Sequence, residues 1–498
     1  MLVAATALLA ACDSGGGVSC SLDNGMPLAP STFPKFRADL GNTGRAAVDL
    51  TGSSGEILRL LFDGFCSAMN LQTCSVDSGC PPGPPDLGTC TRIGLISNTP
   101  ILDATTPAPN IYLGSADGNV YAVDAFGEML PLEQLPQLAS AIVGSPLLGL
   151  DPTTDPVRQV LSVPGNSLLA QFDMTVREED GLPTISAFQN SLAAVGGFIT
   201  ASPNIWNGDA EMFDGTVFFG TESGVFTGIC PNGVARWSVS FPATQSSAAL
   251  VQDPNFPDEV TPIIIAGGLN GQVRGYSIRG RQAWTFFASA NIVAAVLIDP
   301  STNLAYVADT AGRVFVLNVA NGQPLTPLPQ FTASASITSS PALGRDTVAR
   351  PRLYVADQNG IVYALDREDL SVVYWTFQAA GPISSSPAVA TLGDQDVIVF
   401  GADVLGVADP TQAPVAIDGK VYAIRDDGDS ASVLWIKDLG YSIGTASPSI
   451  GVNRTVYIGR QGNRLGLPAE CPDVDRDANG VQDGCVVNDG GALYEIQP

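Results

Sequence analysis

The 498-residue chain contains no histidine. That one absence removes the imidazole base of Ser-His-Asp and Cys-His nucleophile systems, histidine-ligated metals and C-x-x-C-H haem attachment together. Positive charge is also scarce: 23 Lys+Arg stand against 49 Asp+Glu, a formal charge of −26. A surface of that sign repels a phosphate backbone, so nucleic acid is not an expected partner. Charged residues of both signs reach only 14% while hydrophobic ones reach 45%, which excludes general disorder and allows a large core. Long helical apolar patterns are missing as well. Gly 53 and Pro 37 supply turn formers along the whole chain, and the balance points to an all-β protein.

The N-terminus, MLVAATALLAACDSGGG, carries an apolar run too short to span a bilayer and suited to the core of a secretory signal over residues 1–11. Leu9-Ala10-Ala11-Cys12 resembles the lipobox of bacterial lipoproteins, in which the cysteine is lipidated and becomes the mature first residue; no Lys or Arg precedes the run. Residues 12–32 then read as a lipidated, SGGG-containing tether that holds the protein to a membrane of the bacterial envelope. Export implies an oxidising compartment, in which the other eight cysteines are expected to pair. Cys66, Cys74, Cys80 and Cys90 lie close together, Cys471 and Cys485 bracket an acidic loop, and Cys20 and Cys230 have no local partner. Only Cys471–Cys485 is assigned from this pattern.

What the chain has in abundance is one repeated phrase. GSADGNVYAVD (114–124), ADTAGRVFVLN (308–318), ADQNGIVYALD (356–366) and DGKVYAIRD (418–426) each set two alternating β-type segments around a glycine turn, read as a two-residue hairpin. The matching glycines are Gly118, Gly165, Gly224, Gly271, Gly312, Gly360, Gly419 and Gly491, at intervals of 47, 59, 47, 41, 48, 59 and 72 residues. A base period in the forties with three insertions accounts for the series. A Ser/Thr-Pro pair heads most units, as at Thr99-Pro100, Ser145-Pro146 and Ser340-Pro341, with Ala248 and Ala294 in its place in units four and five. Trp237, Trp284, Trp375 and Trp435 follow the hairpins in further strand-like segments. Four strands per period describe a propeller blade. A β-solenoid has shorter rungs, and paired sandwiches do not repeat one turn chemistry eight times.

The eighth unit stops at its third strand, and GEILRLLFDG (55–64) has the pattern of the missing fourth. Pairing the two closes the ring and removes an open edge. The expected fold is therefore an all-β, eight-bladed β-propeller of four-stranded blades over 33–498, closed by an N-terminal strand. Its interruptions are a Cys-rich insertion at 64–95 and loop insertions at 402–418 and 461–488. Strands within a blade alternate in direction, so all three insertions are expected on one face, which makes that face the expected site of a protein or envelope-surface partner. A monomer is the expected state.

DGNVYAVDA and NGIVYALDRED resemble the quinoprotein-like (PQQ-like) repeat, and FRADLGNTGRA (36–46) is similar to the segment that precedes the closing strand in that family. The resemblance implies a propeller. It also offers two roles: dehydrogenases that bind pyrroloquinoline quinone with Ca²⁺, and a non-catalytic BamB-type lipoprotein scaffold of outer-membrane protein assembly. The adjacent cysteine pair usual in the dehydrogenases is absent, so no PQQ and no enzymatic activity are expected, whereas lipobox plus propeller matches the scaffold. A diverged PQQ-dependent oxidoreductase and a calcium-dependent extracellular surface- or carbohydrate-binding module are the alternatives.

One further motif carries chemistry. In CPDVDRDANGVQDGC (471–485), Asp475, Asp477, Asn479, Gly480 and Asp483 fall at positions 1, 3, 5, 6 and 9 of a D-x-D-x-[DN]-G-x-x-D loop, with the Val481 carbonyl at position 7. Alternate oxygens can converge on one hard cation because Gly480 permits the sharp turn. Val486 replaces the closing bidentate Glu, leaving Asp473 or Asp489 as the substitute. The loop also resembles thrombospondin type 3 calcium repeats. A structural Ca²⁺ is expected here, since neither an open water site nor a general base accompanies it.

Overall fold

Segments such as Ile111–Gly114 (IYLG) and Pro262–Gly267 (PIIIAG) are apolar throughout, and every residue in them is buried. A strand covered on both faces must lie between two layers. The Trp-bearing strands differ: in Gln282–Phe287 and Val373–Gln378 only the Trp is buried and the other residues are exposed or half-buried, as befits an outermost strand. Strands of these two kinds combine in antiparallel sheets such as Ala249–Gln252, Pro262–Gly267, Gln272–Ser277 and Gln282–Phe287, in that order from the centre outward.

The structure, a computed structural model, describes residues 39, 42–51, 57–62, 64–66, 90–103, 109–124, 138, 141–151, 158–165, 167–179, 182–206, 215–230, 233–256, 262–325, 330–345, 351–406, 414–465, 486–488 and 491–497. Within them the molecule is an eight-bladed β-propeller. Blades two to six and blade eight show four strands each, blade seven shows four and a fifth added from the N-terminal segment, and blade one shows three among the described residues. Ring closure is as expected: Ile57–Phe62 pairs antiparallel with Ala492–Gln497 and becomes the outer strand of blade eight.

Apolar clusters fill the spaces between blades. Tyr112 and Ala122 of blade one pack with Leu148 and Leu161 of blade two, and Ile263 and Ile265 of blade four with Ala305 and Val307 of blade five. Glycine makes the close fit possible at Gly114, Gly267 and Gly459. A Cβ there would strike Ile142, Ile292 or Ile96, each in the connection entering the next blade. At the rim, Trp237 Nε1 donates to Ile278 O and Trp284 Nε1 to Val319 O, both at 2.8 Å, so each outer-strand indole grips the following blade.

Four sequence expectations need correction. The repeated turn is a three-residue loop with a G1 bulge. Gly118 N–H donates to Ser115 O while Ser115 N–H donates to Asn119 O, and the same pair of bonds recurs around Gly224, Gly271, Gly312 and Gly360. Only the glycine has positive φ (86° at Gly118), so no residue before it needs the left-handed region that a two-residue turn would demand. Gly165, Gly419 and Gly491 lack positive φ, and Gly419 lies inside a strand. The insertion at 402–418 is largely strand: Gln395–Gly406 and Val415–Asp426 form one long hairpin, paired out to Gly406 opposite Val415. In unit five, Ala295 aligns with the head serines of the other units and Val296 with their proline, so Ala294 does not take the Pro place.

The N-terminal segment does more than precede the closing strand. Asn42, at φ 57°, caps a turn in which its N–H donates to Asp39 O. Its fully buried amide nitrogen donates to Val296 O at 2.9 Å, Ala248 O at 3.1 Å and Ser247 O at 3.4 Å, spanning blades four and five. Thr43 O and Gly44 O accept from Leu343 N of blade six and Val389 N of blade seven. Arg45–Asp49 then pairs in parallel with the inner strand Ala388–Leu392, adding a fifth strand to blade seven.

Candidate functional site

In seven of the eight blades the inner strand is headed by a small hydroxyl residue, and these residues follow one another around the ring axis. The N–H groups of Thr99, Ser145, Ser202, Ala295, Ser340 and Ser386 donate at 2.9–3.0 Å to Oγ of Ser145, Ser202, Ser247, Ser340, Ser386 and Ser447. Each bond joins one blade to the next. The series breaks twice: between blades four and five, where Ala295 has no hydroxyl to offer and the Asn42 amide lies at the junction, and between blades eight and one, where Thr99 Oγ1 has no partner.

These residues line a central pit of about 210 Å³. Its mouth is set by residues two positions before the ring, among them Val143, Thr200, Gln245 and Thr338. Inner strands run away from this mouth, so it opens on the face that carries the turns between second and third strands and the connections between blades. Asn42 lies deeper along the same axis, beside Ser247 and Val296. Among the described residues none that line the pit is ionisable or aromatic.

Three two-stranded stems rise on the same face. Gly64–Cys66 pairs with Cys90–Arg92 in the connection from blade eight to blade one. The extended hairpin of Gln395–Gly406 and Val415–Asp426 belongs to blade seven. Asn463–Leu465 pairs with Val486–Asn488 in blade eight and lies against the third strand of blade seven. One extension points the other way: the hairpin of Leu168–Glu179 and Leu182–Ala194 in blade two, which the repeat spacing alone did not reveal.

The base of the blade-seven hairpin is held by charge. Asp403, 8% exposed, accepts from the N–H groups of Ile443 and Gly444. Burial raises its carboxyl above the usual range, and those two bonds pull it back in part. Lys420 pairs with Asp438 and lies 4.0 Å from Asp418, and its bond to Asp438 raises the Lys420 ammonium above its ordinary value. Burial raises Asp418. In Asp438 burial is outweighed by the bonds from Lys420 and Gly440, so its carboxyl falls below the usual range.

The residues singled out for chemistry in the sequence lie elsewhere. Cys12, the calcium-loop residues Asp475, Asp477, Asn479, Val481 and Asp483, and Cys471 and Cys485 are outside the described residues. Of the segments next to the loop, the strands at 463–465 and 486–488 are brought together as a stem. Cys230 is buried and disulfide-bonded. Cys66 and Cys90 stand directly opposite in backbone register. No group of three acidic or cysteine side chains placed to hold a metal is found among the described residues. The sequence reading missed the hydroxyl ring. Its signal was present in the serine that precedes each proline and persists at Ser247 where the proline is gone.

Sheet order and ring closure together define a closed, eight-bladed β-propeller. The family model described as "Outer membrane protein assembly factor BamB" matches residues 200–352, from the head of blade three into blade six. Among solved structures, BamB from Moraxella catarrhalis is similar at 15% identity and a TM-score of 0.50, covering 81% of this chain and 98% of that one. BBS1N in complex with ARL6DN is similar at 12% identity and a TM-score of 0.40, covering 62% and 90%. The WD40 propeller domain of Doa1 follows at 10% identity and a TM-score of 0.40, covering 68% and 90%. No curated protein sequence matches the chain.

Proposed function

We propose that this protein is a non-enzymatic binding scaffold of the bacterial envelope, anchored through a lipid on Cys12, which holds a protein partner on the face where the pit opens. The observation that carries the reading is the set of three strand-paired stems on that one face, over blades seven, eight and one. A stem built on a rigid ring loses little entropy on docking. A Ca²⁺ held by Asp475, Asp477, Asn479, the Val481 carbonyl and Asp483, with Cys471–Cys485 at its base, would stiffen the blade-eight insertion further. The match to a model described by outer-membrane protein assembly makes that process the first place to seek the partner.

A diverged quinoprotein is the weaker reading. Pyrroloquinoline quinone carries three carboxylates on a flat aromatic system, and the described pit lining has neither a cation to balance them nor a ring to stack on them. The residues present do not fit that cofactor.

The test replaces 402–418 and 461–488 with short Asn-Gly turns in the anchored protein. The variant should keep the propeller fold, with some loss of thermal stability because the buried Asp403 and its bonds to Ile443 and Gly444 go with the hairpin, and should lose partner capture from native envelopes. Undiminished capture would refute the docking face.

A further inference from the structure

The pit has a binding chemistry of its own, independent of the docking reading. Ser145, Ser202, Ser247, Ser340 and Ser386 each use an oxygen lone pair to accept a backbone N–H from the preceding blade. None of these five hydroxyls donates to a protein acceptor within the described structure, so their protons remain available around the wall. Blade one supplies the complement. Asn98 is held by its amide nitrogen on Gly114 O at 2.9 Å and Ile142 O at 3.3 Å, which leaves its Oδ1 without a partner, and Thr99 Oγ1 also has none. The two residues are only 3% and 2% exposed, and both line the pit. Buried oxygens left unpaired are costly, and at the wall of an open pit they mark places for a ligand's donors.

We propose that the pit binds a small uncharged polyol of about the size of one monosaccharide ring. Donors from five blades and two free acceptors on a sixth suit a molecule that gives and takes hydrogen bonds around its whole edge. An anion meets no cation in the lining and a strongly acidic protein around it, and a metal ion meets no carboxylate there. The volume of about 210 Å³ would otherwise hold about seven waters at liquid density, too little for a polymer segment and enough for one compact ring. Asn42 lies at the inner end, so entry is from the mouth face.

The full chain is titrated with D-glucose, N-acetylglucosamine and myo-inositol by saturation-transfer NMR and thermal shift, with glucuronate, glucose 6-phosphate and K⁺ as charged probes. At least one neutral probe should bind in a 1:1 ratio, and the charged probes at least about tenfold more weakly. Val143→Trp, at a 40% exposed mouth position, should block binding with the fold intact. Thr99→Val should leave the free protein no less stable, because a buried unpaired hydroxyl is removed, while weakening the neutral probe about tenfold. An oligosaccharide ending in the bound sugar separates two sources of the same chemistry: tighter binding than the free sugar marks a glycan terminus, equal binding a free polyol, and either supports the site. Absence of any neutral binding, water alone filling the pit, would overturn the proposal. So would equal binding of the charged probes, or binding that survives Val143→Trp.

Discussion

Single side chains hold this ring shut at its seam. Arg59 of the closing strand and Glu495 of its neighbour are directly opposed in register and form an ion pair, with Glu495 only 1% exposed. Burial raises the Glu495 carboxyl above its ordinary value, and Arg59 and Gln497 offset that only in part. Arg59→Ala should therefore strand a buried carboxylate and cost roughly 2–3 kcal/mol near neutral pH, somewhat below a fully buried pair because water already screens part of Arg59. The sign of the pH dependence follows from the raised pKa. A protonated Glu495 is favoured in the fold, so the deficit is greatest above the raised value and shrinks as pH falls toward the unfolded value of 4.5. Denaturant unfolding at neutral and acid pH measures it, and a deficit constant across that range would show that Glu495 is not the group left behind. Arg59→Met with Glu495→Leu should recover most of the loss.

At the scale of elements, strand number, order and ring closure were legible because period-two apolar segments and repeated glycines report blade geometry directly. Turn type was less so. Asp117-Gly118 suits a two-residue hairpin by composition, but the hydrogen bonds around it close a three-residue loop, and composition does not distinguish the two. The long hairpin of blade two was hidden for a related reason: the spacing records an insertion between Gly165 and Gly224 but not which turn receives it. The proposed calcium loop at 471–485 is the opposite case, since its D-x-D-x-[DN]-G-x-x-D spacing is written in the sequence and is local. Isothermal titration should detect one Ca²⁺ heat in the wild-type protein and none in Asp477→Ala, while chelation leaves the melting temperature of the ring nearly unchanged. A wild-type protein that gives no Ca²⁺ heat, or a ring that melts on chelation, contradicts the assignment of that ion as a local structural one.

Across the whole molecule, the parts the sequence concealed are those that depend on distant segments meeting. FRADLGNTGRA gives no local sign that Asn42 will lie between blades four and five or that Arg45–Asp49 will join blade seven. Likewise the pit exists only because eight strand heads converge. Ser145 or Thr99 taken alone is an ordinary small polar residue. The same convergence places three stems on one face. The most direct test of the scaffold reading puts a photo-crosslinking amino acid at Leu405, on the blade-seven stem and 47% exposed, and at Phe256, exposed on the opposite face. Irradiation of cells carrying the full chain should give a discrete protein adduct from position 405 and none from 256. An adduct from 256 alone, or none from 405, would contradict the account.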